Sequence, residues 1–523
     1  MIPSMYSYII IEIIFNIIVY YMMNSNSNIL FYIVISAVLF YYYQSSITEF
    51  IENHRDGDNL KSSFEVFYGH NKSLDDVIGN DEAKDEINKI LDMIKSPKKY
   101  LDIGAIIPTG ILLDGPPGTG KTLMVKALAK ESKLPLINTT GSSFCEMYVG
   151  VGASRVKKLF KLARKLKPCI IFIDEIDAVG RNRSKDISGG DAERASTLNQ
   201  LLAEIDGFAE SNGIIVIGAT NRKSLLDDAL LRSGRFDQHV NFTLPDSTDR
   251  EDLFKYYLGK RKINVNLDKI STRYSKLCVG MSGADISTIC NEASINAVTK
   301  DKKFIEKDDI VESYENKLLG AKKKKDKLSI KEKTIISYHE AGHCFLQYNL
   351  KYVDDPHTVS IEPRIKTALG FSQSLPTDDV LNSKQEIIHE IAICLGGRLV
   401  EDKLNNNLVT TGASDDLRKV KKLAMRYVSV FGFDDKIGSF VAVDNNGNYG
   451  KDNDISDHMK YSMEERCISL INKIEVETRK IINDNFEKVQ ELANSLLDKK
   501  RLFSEDINKL LGLNLKKNKV ITI

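Results

Sequence analysis

An excess of charge is the first thing this 523-residue sequence lacks, since 73 Lys and Arg stand against 72 Asp and Glu. No nucleic-acid partner is expected, because the global charge offers a polyanion nothing. Paired cysteines are missing as well. The seven cysteines are scattered from Cys145 to Cys467 with no Cys-x-x-Cys among them, which argues against a disulfide framework and against a thiolate zinc site, and suits a reducing compartment. No Lys or Arg precedes Arg55. The basic start of a secretory signal and the Arg-rich pattern of a transit peptide are therefore both excluded. Tryptophan is absent too, and its absence excludes nothing.

What is present begins with apolar runs. One extends from Met5 to Met23, interrupted by Glu12 and Asn16. Asn24 to Asn28 form a polar turn, and a second run covers Ile29 to Tyr43. A bilayer span takes about 20 apolar helical residues, so the first run is long enough and the second slightly short. Tyr20, Tyr21 and the Tyr41-Tyr42-Tyr43 cluster suit the headgroup belt. The expectation is a transmembrane helical hairpin over residues 1–48, set in a lipid bilayer, with a buried core hairpin as the alternative. Arg55, Lys61 and all that follows would stay on the cytosol-like side (cytosol, matrix or stroma).

Beyond a polar linker (49–72), the composition divides the chain. Over 73–245, short apolar runs alternate with helical patterns. Ile111-Leu112-Leu113, Ile170-Ile171-Phe172-Ile173 and Ile214-Ile215-Val216-Ile217 read as strands of a parallel sheet covered by helices on both faces. Residues 246–318 read as helices only, broken at Gly280-Met281-Ser282-Gly283. A basic linker follows (319–327), then a mainly α-helical region (328–512) and a short tail (513–523). There is no internal repeat.

Gly115-Pro116-Pro117-Gly118-Thr119-Gly120-Lys121-Thr122 matches the phosphate-loop pattern G-x-x-x-x-G-K-[ST], directly after a strand and at the start of a helix. That context is what the motif needs, since glycines let backbone N–H groups wrap phosphates at a helix N-terminus. Lys121 would reach the β- and γ-phosphates of ATP, and Thr122 would hold Mg²⁺. The strand Ile170 to Ile173 delivers Asp174 and Glu175, two acids with no packing reason to be there. Asp174 would bind Mg²⁺ and Glu175 would polarise the attacking water. The third strand leads to Asn221 at the same sheet edge, where ligands bind in open α/β folds. Arg232 and Arg235 follow, placed to act on a neighbouring subunit's nucleotide as fingers supplied in trans.

His339-Glu340-Ala341-Gly342-His343 fits H-E-x-x-H. On a helix the two histidines share a face, so both bind one Zn²⁺ while Glu340 serves as general base. A catalytic zinc expects three protein ligands, and the candidates for the third are Glu401, Asp415 and Asp416. Helical periodicity puts Asp416 on the face of Val420, Leu423 and Tyr427, and Asp415 on that of Arg418, Lys419 and Lys422. Asp416 is chosen, with Ser414 read as the cap of its helix. His357 and His389 have no metal spacing.

From Leu74 to about residue 510 the chain resembles the FtsH-like family of membrane-anchored AAA ATP-dependent zinc metalloproteases. The resemblance rests on Ile78-Gly79-Asn80-Asp81-Glu82-Ala83-Lys84, Ser96-Pro97-Lys98-Lys99, the phosphate loop, Met147 to Arg155, Gly234-Arg235-Phe236-Asp237, the H-E-x-x-H helix, Val359 to Arg364, Ala368 to Phe371 and Thr410 to Leu417. It implies an α/β AAA ATPase module with a helical lid, then the peptidase. It implies a homohexamer acting on polypeptide substrates, with ATP, Mg²⁺ and one Zn²⁺ per subunit. It further implies nucleotide contacts from Ile78 and Gly79, a substrate-gripping pore loop at Tyr148, Val149 and Gly150, Asp416 as third zinc ligand, and Glu401 as a structural or supporting acid. Ser233 stands where the family commonly has Pro, and only Asn24 to Asn28 separate the two apolar runs, where members usually carry a folded domain. An unfoldase with a dead peptidase would show a broken metal motif, and a scaffold ATPase would show no metal-ligand set; neither pattern is seen.

Overall fold

The computed structural model describes residues 64–69, 71–105, 107–145, 150–181, 189–207, 213–323, 328–365, 370–375, 381–404, 410–440 and 455–512. The expected hairpin, residues 49–63 and 70 of the first linker, Tyr148, Val149 and the tail lie outside them, and the end of that expected linker is not all linker, since Glu65–Phe67 form a strand. Among the described residues no helix is long and apolar enough to cross a membrane. The chain forms two compact units, one from residues 64–77, 82–115 and 121–242, the other from 78–81, 116–120 and 243–512.

The first unit is built on a six-stranded sheet: β1 (Glu65–Phe67), β2 (Gly110–Asp114), β3 (Leu136–Thr140), β4 (Cys169–Asp174), β5 (Ile214–Thr220) and β6 (Phe236–Asn241), in the order β1-β3-β4-β5-β2-β6. All neighbours are parallel except the antiparallel pair β1–β3. Alternate side chains of a strand face opposite sides, and the apolar runs exploit that. Ile171 and Ile173 pack with Leu112, Val216 and Phe236 on one face. Ile170 and Phe172 pack with Leu113, Ile217 and Val240 on the other. Helices α1 (Asp81–Lys95), α2 (Pro97–Leu101), α3 (Lys121–Ser132), α4 (Val151–Leu166) and α5 (Gly189–Asp206) belong to this part of the chain. Val125 and Leu128 of α3 cover one face of the sheet, while Leu159 and Phe160 of α4 and Leu201 of α5 cover the other.

The second unit contains four helices, α6 (Ser247–Gly259), α7 (Leu267–Leu277), α8 (Gly283–Thr299) and α9 (Lys307–Leu319), around a core that includes Phe254, Tyr274, Ile286 and Tyr314. Their starts are written in the sequence: Asp246, Asn266 and Ser282 each accept a backbone N–H from the residue three positions on. The same unit holds α10 (Ile330–Asn349), α11 (Lys384–Leu404), α12 (Ser414–Met425), α13 (Asp457–Asp484), α14 (Phe486–Lys499) and α15 (Ser504–Leu511). It also holds a three-stranded antiparallel sheet that helical periodicity did not announce, in the order β8 (Phe371–Ser374), β7 (Pro356–Ser360), β9 (Arg501–Phe503).

Candidate nucleotide and metal sites

Strand β2 ends at Asp114 and α3 starts at Lys121, so the intervening glycine loop is a strand-to-helix turn. Gly115, Gly118 and Gly120 all have positive φ, which side-chain-bearing residues rarely adopt. Within the first unit, Lys121 Nζ donates to the Gly115 carbonyl and to Asn221 Oδ1, both at 2.7 Å. Burial lowers the Lys121 pKa, against the pull of Asp174. Thr122 Oγ1 donates to Asp174 Oδ2 at 2.8 Å. Glu175, in the left-handed region at φ 50, turns off the end of β4 beside it. The structure thus brings Lys121, Thr122, Asp174 and Asn221 together, with Glu175 next in sequence.

Arg232 is exposed. Arg235 is held by Asp206 through two 2.7 Å hydrogen bonds and by the Ala229 carbonyl at 2.6 Å, an anchorage that the sequence did not disclose. Gly150, of the expected pore loop, caps α4 at φ 84, and its N–H donates to Glu193 Oε2 at 2.7 Å.

Within the second unit, Thr119 Oγ1 donates to the Pro116 carbonyl at 2.9 Å. Asn80, directly after Ile78 and Gly79, lies with its amide nitrogen 3.5 Å from the Thr119 carbonyl. Ile78 packs on the core of the four helices. The start of α8 meets the glycine loop as well: Ala284 N–H donates to the Gly118 carbonyl at 3.1 Å, and a Cβ on Gly118 would stand 2.6 Å from Ser282 Oγ. Sequence reasoning missed this contact, whose signal is the Ser282-x-x-Asp285 capping box.

The H-E-x-x-H residues lie on α10, all three buried. His339 Nδ1 is 2.7 Å from Glu401 Oε1 and His343 Nδ1 is 2.7 Å from the Ile393 carbonyl, so each Nδ1 is the donor to its own partner and each Nε2 is the atom turned to a cation. The two Nε2 atoms are 3.0 Å apart, and Asp416 Oδ2 is 3.3 and 3.5 Å from them. A tetrahedral ion with bonds of about 2.0–2.1 Å holds its ligand atoms roughly 3.3 Å apart, so this donor set fits zinc. Among the described residues it is also the group of His, Cys, Asp and Glu that could hold a metal ion.

Electrostatics agree with a cation here. Burial opposes the ionisation of Asp416 and Glu401, but hydrogen bonds from His339 outweigh it and hold both carboxyls below their usual range. Burial likewise opposes the charge on His339, yet the same two carboxylates lift its pKa to about 10. Glu401 is further tied by Thr410, whose N–H and Oγ1 donate to it at 3.0 and 2.8 Å. Burial raises the pKa of Glu340.

Helices α10 and α11 touch at this point through glycines. A Cβ on Gly342 would lie 2.7 Å from the Gly396 carbonyl, and one on Gly397 would lie 2.5 Å from the His339 ring. Asp415 points outward and Asp416 inward, with side-chain exposures of 60% and 15%. Ser414 is not the cap expected of it. It is the first residue of α12, after a tight turn over Thr411–Ala413 that Thr410 caps. His389 is fully buried, with Nδ1 3.4 Å from Tyr352 N, and His357 Nε2 is 3.4 Å from Arg273; neither approaches the metal-ligand set.

Three family models match the chain in sequence order. Residues 111–244 match the ATPase family associated with various cellular activities (AAA), 264–312 the AAA+ lid domain and 326–510 peptidase family M41. Among curated proteins, the chain is 40% identical over 443 residues to an ATP-dependent zinc metalloprotease FtsH of Caldicellulosiruptor bescii, covering 83% of this chain and 71% of that protein. It is 38% identical over 463 residues to the FtsH of Rhodothermus marinus, covering 87% and 66%. It is also 40% identical over 446 residues to the mitochondrial inner membrane m-AAA protease component YTA10 of Saccharomyces cerevisiae, covering 84% and 58%. The chain therefore spans between about half and three quarters of the length of these relatives.

Proposed function

This chain belongs to the FtsH-like family of ATP-dependent zinc metalloproteases, and we propose that it acts as one: a hexameric, membrane-anchored machine that unfolds polypeptides and cleaves them. The observation that supports this best is the convergence of His339, His343 and Asp416 on one point, in a chain whose residues 115–122 form a glycine-rich strand-to-helix turn. In the cleavage reaction His339, His343 and Asp416 hold Zn²⁺, which supplies a Lewis acid to polarise water and the scissile carbonyl. Glu340 accepts the proton of the attacking water and returns it to the leaving amide nitrogen. Its buried setting suits both transfers, because burial raises its pKa and so makes the carboxylate a stronger base than an exposed one. Glu401 holds the His339 ring in the orientation and tautomer that ligation needs.

In the ATPase the backbone of Gly115 to Gly120, with Pro116, Pro117 and Thr119, cradles the phosphates, and Ile78 and Gly79 border the nucleotide. Lys121 binds the β- and γ-phosphates, and Thr122 and Asp174 hold Mg²⁺. Glu175 orients the attacking water, and Asn221 holds Lys121. Arg232 and Arg235 serve the next subunit's nucleotide. Tyr148, Val149 and Gly150 grip the threaded substrate, and the N-terminal hairpin anchors the assembly in a bilayer.

Casein, as an unfolded substrate, and a folded reporter protein separate the two engines in detergent-purified protein. Glu340→Gln is expected to abolish cleavage of both while ATP turnover continues. Glu175→Gln is expected to stop ATP turnover and degradation of the folded reporter. Cleavage that survives the Glu340 change removes Glu340 as the base.

A further inference from the structure

Strand β8 lies between two bodies of the second unit, and its alternation assigns one face to each. Successive residues of a strand point to opposite sides. Gly370, just before the strand, lies so close to the zinc helix that a Cβ on it would be 2.7 Å from Glu340 Oε1. Ser372, two residues on, donates to Gln347 of the same helix at 3.3 Å. Phe371, Gln373 and Leu375 form the opposite set, and all three meet the four-helix lid or a residue that the lid holds. Gln373 Nε2 donates a short hydrogen bond to the Tyr314 hydroxyl of α9, which in turn donates to the Leu277 carbonyl at 3.0 Å. Leu375 packs on the apolar core of the lid. The Phe371 ring lies 6.0 Å from the Arg364 guanidinium, itself fully buried. The lid grips that guanidinium at three points: Glu315 Oε2 at 2.5 Å, Asn316 Oδ1 at 3.0 Å and the Gly320 carbonyl at 3.1 Å. Arg501, beside β7, donates to the same Glu315 oxygen at 2.7 Å.

Buried ion pairs of this kind add little net stability against an apolar substitute, but they fix register, and removing one partner strands a buried charge. On one side β8 pairs with β7, and no other strand pairs with it among the described residues. Phe371, Gln373 and Leu375 therefore depend on these lid-side contacts for their place. We propose that Tyr314 and Glu315 of the lid, with Arg364 as intermediary, are positioning residues for peptide cleavage: they hold β8, the wall beside Glu340, from the ATPase side. The inference rests on the reading of Glu340 as catalytic base. It adds that the peptidase site is incomplete without the ATPase lid. The lid also touches the phosphate loop at Gly118, so nucleotide loop and cleavage wall rest on one body.

Two readouts test this on the full chain. Tyr314→Phe removes the hydroxyl and keeps the ring, Gln373→Leu removes its partner, and Glu315→Gln removes the charge. In the first readout, casein cleavage, each substitution is expected to lower kcat about tenfold while bound zinc and ATP turnover stay unchanged. The Tyr314→Phe, Gln373→Leu pair is expected to lose no more than either single change, the mark of one shared interaction. The second readout, amide hydrogen exchange over 371–375, is expected to speed up in Tyr314→Phe and Glu315→Gln whether or not casein is cleaved. Faster exchange in a chain that leaves casein intact sinks the protease reading and leaves the clamp standing. Exchange and kcat both at the unaltered values overturn the clamp. A parallel fall in zinc content and ATP turnover overturns it as well, because it shows a general loss of structure.

Discussion

The histidines of the metal motif were legible because four-residue spacing on a helix puts two side chains on one face, and only the residue types had to be read. Asp416 was legible for the same reason, its helical face being apolar. The atom that orients His343 was not: it is the backbone carbonyl of Ile393, which no residue type encodes. The two acids around His339 are predicted to separate in a metal assay. Asp416→Asn removes a ligand and is expected to leave the dialysed protein without stoichiometric zinc. Glu401→Gln keeps the shape of the contact and loses its charge, so affinity is expected to fall by about 10–100-fold while the site still fills at saturating zinc. Metal analysis by mass spectrometry decides between them, and the opposite ranking would make Glu401 the ligand.

At the scale of elements, strands buried on both faces announced themselves as apolar runs, as β2, β4 and β5 did. Strands with an exposed or polar side did not. The edge strand β6 reads Phe-Asp-Gln-His-Val-Asn, and β9 is only three residues long. Strand β7 opens on Pro356 and reads His-Thr-Val-Ser after it, with Val359 as its one aliphatic residue, so it offers no apolar run to read. That histidine, His357, makes the element acid-sensitive. Burial first, and Arg273 and Lys307 next, push its pKa down to about 4. The unfolded chain titrates near 6.5 and binds the proton first, so the folded state loses stability as the pH falls from about 6.5 towards 4. At pH 5 the loss is about 2 kcal/mol. Thermal melts at pH 7 and pH 5 are expected to show a larger drop for the unaltered chain than for His357→Gln. Equal drops would mean that His357 already carries its proton in the fold.

For the whole molecule, the order of segments was legible from composition, since each junction falls on a polar or charged run. The grouping of segments was not. The lid forms one compact unit with the peptidase region, held by pairs such as Glu315 with Arg364, 49 residues apart in sequence. Contacts at such separation leave no periodicity to read. The arginines pose a question that only an assembly answers. Arg235 is engaged by Asp206 within its own chain, and Arg232 stands exposed. If Arg232 serves a neighbour, Arg232→Ala is expected to cut ATP turnover by about 10³-fold. Mixing it with Lys121→Ala subunits, which keep the arginine and lose the phosphate lysine, is expected to restore part of the activity. No recovery on mixing would place the finger in cis.

The glycine crossing of α10 and α11 bears on what can be moved from this protein to another. In the pattern H-E-x-x-H the second free letter is Gly342, and here it is not free, because a methyl group would press on a carbonyl oxygen of the facing helix. The facing Gly397 is bound in the same way by the His339 ring. A pentapeptide grafted onto a foreign helix would carry the ligands without the gap that lets them sit so close to a second backbone. The portable part of this site is a pair of crossed helices, and a pattern search blind to the partner helix accepts many sequences that cannot build it.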